Sequence, residues 1–333
     1  MTGTRHEGLD LLRIISMLFV IGIHTSGQYL ATPYWENSNA YVASIFQAIV
    51  QTGVPLFFML SGSFLLDQPI PNVRKFYRQK MPRLLIPLIL YLPLYYLYFW
   101  LKGADVAESA RHLYEAKGYF HLWFLIPLIG LYLVTPLLRR LLEWSVSVKE
   151  QALEVGLLLF FMIIANIFLY INEEEPSVLT LFIPYIGYYF LGYLLRKHPI
   201  QHCTFWWFVY GLSTLGTIIL FIVSHDTFWA NYPTTNLSPF IALSSTSLFA
   251  LFAKRPEWHK AGRWLSHLSS LTLGVFLIHI AVLDVVSKPF LMWMPFIMDH
   301  AVLSILIRWS ITTLISFGIV HYMHKVPWIR RYL

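Results

Sequence analysis

Apolar residues fall along this chain in ten continuous runs, at about 9–30, 42–66, 83–101, 121–138, 151–171, 177–195, 204–223, 237–253, 267–287 and 301–322. Runs near 20 residues have the length a helix needs to cross a hydrocarbon core. They are unbroken rather than alternating over segments of about ten residues, which argues against a membrane β-barrel. The pattern therefore predicts an all-α, polytopic membrane helical bundle of about ten transmembrane helices. The polar stretches between runs show no repeat, low-complexity tract or second soluble module, so a single membrane domain is expected over 1–333. The first run has two expensive exceptions, Arg13 and His24. Eleven residues at about 100° each bring the chain round close to three full turns. The two side chains then share one helix face, roughly 16 Å apart along the axis.

Composition agrees with the pattern. Hydrophobic residues make up 57% and charged residues 12%, where a soluble domain carries about 25% charged. The mean hydropathy is +0.59. Aromatic residues, at 17%, suit interfacial belts. The first run lacks a small-residue cleavage site and is as long as a full span, so it reads as a helix rather than a signal peptide. A single cysteine, Cys203, excludes a disulfide framework. Of the 24 Lys and Arg, 18 fall in the segments that are cytoplasmic if the N-terminus is inside, and only Lys102, Arg111, Lys117 and Lys288 fall outside; Arg13 and Arg308 lie within runs. That bias places both termini in the cytoplasm and accounts for the net charge of +7 without invoking nucleic acid.

Several polar groups inside the runs are candidates for chemistry. Asp10 lies three residues before Arg13, within reach on a helix, so Arg13 has two open readings: a neutralised interfacial cation, or a functional one. His24 heads the polar cluster Thr25, Ser26, Gly27, Gln28 in the outer part of its span, and a neutral imidazole there can take a proton from a hydroxyl. In the second run Pro55 predicts a kink that frees a carbonyl, and Ser61-Gly62-Ser63 allows close helix approach. Arg74, Lys75, Arg78, Lys80 and Arg83 form a cytoplasmic cluster able to neutralise phosphates, to bind anionic lipid, or simply to set topology. It has no Walker-type glycines, so nucleotide hydrolysis is unsupported. His121 opens the fourth run as an interfacial anchor or cavity wall. His279 lies near mid-membrane in the ninth, and Arg308 in the tenth needs a balancing group such as Asp284 or Asp299. No H-x-x-x-H or carboxylate–histidine spacing occurs within a helix, so no metal is expected. The outer loops are mixed: Lys102–Tyr119 has room for a surface helix, and Ser224–Ser238 is rich in aromatic, amide and hydroxyl groups.

Taken together these segments resemble the acyltransferase-3 family of multi-pass membrane acyltransferases. The resemblance runs over nearly the whole chain. It is carried by Arg13-x(10)-His24 in an LDLLR…IH context, Phe57-Phe-Met-Leu-Ser61-Gly62, Lys80-x-x-Arg83 with Pro87 following, His121-Leu-Trp-Phe, and Gly274-Val-Phe-Leu-Ile-His279. It implies an O-acetyltransferase of the bacterial cytoplasmic membrane that moves an acetyl group from cytoplasmic acetyl-CoA to a hydroxyl of an extracytoplasmic glycan or glycolipid. On that reading His24 is the catalytic base, Arg78, Lys80 and Arg83 hold the CoA phosphates, and Arg13, on the catalytic face with His24, either meets the CoA end or only orients the first helix through Asp10. Asp10, Ser61, His121, His279 and Arg308 are further candidates, and homo-oligomerisation is left open. Two departures stand out: Lys80 replaces an arginine common in the family, and the fused extracytoplasmic domain of many members is expected to be lacking. The rival reading is a proton-coupled transporter of a small polar solute, to which intramembrane His and Arg are equally suited.

Overall fold

The computed structural model describes residues 6–30, 38–103, 120–144, 147–174, 177–200, 202–224, 227–230, 232–253 and 262–330. Among these it is helical with no strand. The helices are α1 (Glu7–Leu30), α2 (Ser38–Val50), α3 (Gly53–Leu65), α4 (Val73–Lys80), α5 (Pro82–Leu101), α6 (Leu125–Trp144), α7 (Val148–Ile171), α8 (Ile186–Lys197), α9 (Cys203–Ser224), α10 (Pro239–Ala253), α11 (Gly262–Trp293) and α12 (Ala301–Met323), with single-turn pieces between some of them. The surface helix expected within Lys102–Tyr119 lies largely outside the described residues, as does the cytoplasmic segment holding Lys254, Arg255 and Lys260.

Nine segments among the described residues are long and apolar enough to cross a membrane, against the expected ten. The difference is at 177–195. There the chain runs through turns and a 3-10 turn at Ile183–Tyr185, with Pro184 inside it, before α8 begins. Twelve residues of helix rise only about 18 Å, short of a hydrocarbon core. Tyr188, Tyr189, Tyr193 and Leu195 of α8 are buried in protein. The sixth apolar run is thus a short helix with an irregular start, a backbone tolerated at membrane depth where protein covers it. The second run also divides, into α2 and α3. Pro55 has no N–H to give the carbonyl of Gln51, and the helix breaks at Gln51-Thr52.

The long helices bury one face and expose the other. On α7, Leu153, Leu157, Phe160, Phe161, Ile164 and Phe168 are exposed. Such a face is unfavourable in water and suited to lipid. The α7 start is set by a capping box in which Ser147 Oγ accepts from the Glu150 backbone N–H and the Glu150 carboxylate accepts from the Ser147 N–H.

The helices group into two compact units, one of Met1–Leu60 with Leu195–Val326 and one of Ser61–Leu194 with Pro327–Leu333. In the first unit α1 is central, packed on α2, α10, α11 and α12, while α9 lies on α10 and α2. Gly53 makes this packing possible: a Cβ there would lie 2.9 Å from the Ser16 carbonyl oxygen and from Phe19 Cβ. Trp309 donates its indole N–H to the Leu18 carbonyl at 2.7 Å, tying α12 to mid-α1. Asn39 joins α2 to the start of α12, donating to the Asp299 carbonyl (2.7 Å) and accepting from the Ala301 N–H (2.9 Å). In the second unit Gly62 meets the backbone of Tyr189, so that any side chain at 62 would collide with the Tyr189 carbonyl. This is the close approach that Ser61-Gly62-Ser63 leads one to expect.

Candidate functional site

The first unit holds a row of polar groups along one face of α1. At its N-terminal end Asp10 is buried and Arg13 half-buried. Ser269 of α11 joins them: its hydroxyl donates to Asp10 Oδ1 at 2.8 Å and accepts from Arg13 Nη1 at 3.0 Å. Arg13 Nη1 is 3.6 Å from Asp10 Oδ1. The carboxylate is favoured in the first turn of a helix, where the free N–H groups point. The pair is thus a neutralised, hydrogen-bonded tie between α1 and α11, with part of the Arg13 side chain left open.

Three turns further along α1, His24 faces His279 of α11. Their ring centroids are 5.2 Å apart and the planes are tilted by 49°. His279 is fully buried. Its Nδ1 lies 2.7 Å from the Phe276 carbonyl oxygen and 3.3 Å from that of Val275. Carbonyls only accept, so Nδ1 carries the proton and Nε2 of neutral His279 keeps its lone pair. The ninth-run histidine, a separate candidate in the sequence, is therefore brought against the first-run histidine.

Beyond His24, Arg308 of α12 reaches across to the same helix. Its Nη2 donates to the Thr25 carbonyl at 2.8 Å and its Nη1 to Gln28 Oε1 at 2.8 Å. Ser287, Ser304 and the Tyr29 side chain are further partners, and among the described residues these partners are neutral groups. On the opposite side of α1 a chain of buried amides leads away. Ser26 donates to Gln47 Oε1 (2.6 Å), Gln47 to Gln51 Oε1 (2.6 Å), and Gln51 to Asn236 Oδ1 (2.9 Å). Ser26 is two residues from His24 and so about 200° round the helix, which makes this ladder a brace rather than part of the histidine site. Ser269, Ser287 and the amide ladder were not singled out in the sequence. Gln47 and Gln51, four apart in an apolar run, were a usable signal, because lone amides are costly in hydrocarbon.

The second unit carries the basic helix. α4 is amphipathic: Asn72 caps it by accepting from the Lys75 N–H, Phe76 is buried, and the Tyr77 hydroxyl donates to the Leu133 carbonyl at 2.6 Å. The opposite face, with Asn72, Arg74, Lys75, Arg78 and Gln79, lines an open cavity of about 450 Å³. Three cations without a carboxylate in that lining suit an anion. Of the expected phosphate grip, Arg78 is at this cavity; Lys80, half-buried where α4 meets α5, and Arg83, exposed in the first turn of α5, are outside the described lining. His121, in a 3-10 turn before α6, is 2% exposed and packs edge-on to Tyr95 with centroids 4.9 Å apart, a buried site rather than an interfacial anchor. Ser61 is half-buried on α3. No group of three or more potential metal ligands occurs among the described residues.

A multi-pass helical bundle with a histidine pair inside it and a basic anion cavity on an amphipathic helix defines a class, the membrane-embedded group-transfer or transport protein. A family profile decides within that class. The acyltransferase domain of the acyltransferase-3 type matches residues 6–321, and the chain belongs to that family as a membrane acyltransferase. It is also similar to an amino-acid racemase of Enterococcus faecalis, 29% identical over 147 residues. That match covers 41% of this chain and 20% of the racemase, so the chain corresponds to about a fifth of that protein. No solved structure matches it.

Proposed function

We propose that the protein is an O-acetyltransferase of the bacterial cytoplasmic membrane, taking the acetyl group from cytoplasmic acetyl-CoA and placing it on a hydroxyl of an extracytoplasmic carbohydrate or envelope glycan. The observation that carries this reading is the meeting of His24 and His279 inside the first unit. A serviceable base for an alcohol is a neutral imidazole held in place, and helix packing holds both rings here. In the reaction His24 removes the acceptor's hydroxyl proton as that oxygen attacks the thioester carbon. The C–S bond then breaks, and the thiolate leaves as CoA, taking up the proton that His24 accepted. His279, whose Nδ1 is committed to the Phe276 carbonyl, packs against the His24 ring and holds its orientation. The cavity on α4 supplies the anion site that CoA phosphates require, through Arg74, Lys75 and Arg78. Arg13, held by Asp10 and Ser269, is assigned to fixing α1 against α11, so that His24 stands opposite His279.

The test is transfer of labelled acetyl from acetyl-CoA to envelope material by His24→Ala, at matched expression and with intact acetyl-CoA binding. Loss of the base should cost about 10²–10⁴-fold in rate. A variant as active as wild type would remove His24 from the chemistry.

A further inference from the structure

We propose that Arg308 is a recognition site for an anionic group, a carboxylate or phosphate, carried by the hydroxyl-bearing acceptor; this rests on the acyltransferase reading above. Arg308 is 2% exposed, on α12, in a span read as crossing the membrane. Its partners among the described residues are neutral: the Ser304 hydroxyl at 3.0 Å and carbonyl at 3.3 Å from Nε, the Thr25 carbonyl from Nη2, Gln28 Oε1 and the Ser287 hydroxyl (3.4 Å) from Nη1, and the Tyr29 side chain. Among the described residues no carboxylate pairs with it. A guanidinium always carries its charge, and a charge kept in low dielectric with only dipoles around it is costly. Such a site favours an anion.

The geometry says on which side the anion enters. Nε and Nη2 are committed to the helix backbone and to a serine one turn away on the same helix. Nη1 instead meets two replaceable acceptors. Gln28 is exposed, on a flexible side chain, and the Ser287 contact is long. The Gln28 amide oxygen is thus a neutral stand-in that an incoming carboxylate or phosphate oxygen displaces. The Tyr29 ring, 6.0 Å from Cζ, adds an aromatic face to the same cation. Gln28 is four residues beyond His24, one turn outward on nearly the same face and about 6 Å away. An acceptor anchored by its acid group at Arg308 therefore presents a neighbouring hydroxyl toward the base, as a uronate or a phosphorylated sugar does. Because the site is on the outer part of α1, the anion it serves belongs to the acceptor rather than to CoA.

The test uses membranes containing the full chain and their own envelope glycans, given labelled acetyl-CoA, with labelled products separated by anion exchange. The wild type should place its label on anionic glycan. Arg308→Gln should lower that labelling at least tenfold through a raised KM for the isolated anionic glycan fraction, with acetyl-CoA binding unchanged, and Arg308→Lys should retain part of it. Label on neutral material, or Arg308→Gln matching wild type, overturns the proposal. Should Arg308→Gln lose acetyl-CoA binding and its monodisperse profile, Gln28→Ala decides. Removing the stand-in should lower the KM for the anionic fraction severalfold, and an unchanged or higher KM overturns the proposal. Wild-type membranes that transfer no label at all would remove the acyltransferase reading, and this proposal with it.

Discussion

At the scale of single residues, what could be read early is what helical geometry dictates. Arg13 and His24 share a face because eleven residues make three turns in any α-helix. The meaning of each side chain was less legible, because it depends on partners far away in the chain. Asp10 was visible three residues before Arg13, but Ser269, which completes that trio, lies 256 positions from Arg13. His279 faces His24 only because α11 packs on α1. The trio predicts a stability effect separable from catalysis. Ser269→Ala removes a donor to the buried Asp10 and an acceptor from Arg13, and should cost about 1–3 kcal/mol. Denaturant titration in detergent micelles measures it; a variant as stable as wild type would show that the tie between α1 and α11 is slack.

At the scale of elements, the runs of apolar residues located the long helices with ends up to six positions off, and Pro55 marked the break between α2 and α3. The 177–195 run forms only a 3-10 turn and a twelve-residue helix, a break that hydropathy does not report because it registers burial without saying whether lipid or protein does the burying. The α8 tyrosines are apolar enough for a span, yet they are covered by the protein itself. The basic segment was legible as a cluster and illegible as a shape. Once α4 forms with Phe76 buried, its period sends Arg74, Lys75 and Arg78 to the cavity and leaves Lys80 and Arg83 apart. Replacing Arg74, Lys75 and Arg78 with alanine should therefore weaken acetyl-CoA binding at least tenfold, with a larger penalty at low ionic strength, and Arg83→Ala should do much less. Equilibrium binding to purified protein reads this directly. An unchanged affinity in the triple variant would leave α4 as a topology signal or a lipid contact.

For the whole molecule, composition was enough to define a polytopic helical membrane protein, and the asymmetry of Lys and Arg predicts an orientation with both termini in the cytoplasm for ten crossings. The gathering of helices into two compact units was not legible, since it follows from long-range contacts between helices that look alike in hydropathy. The family shows an acyltransferase; the proposed direction of transfer, from a cytoplasmic donor to an acceptor on the other side, is the claim on which the account stands. Sealed vesicles with the cytoplasmic face outward test it most directly. Acetyl-CoA labelled in the acetyl group and supplied outside should leave label on material enclosed in the lumen, with one CoA released outside for each acetyl group gained inside. Label confined to the outer face, or a solute crossing with no CoA released, would contradict it.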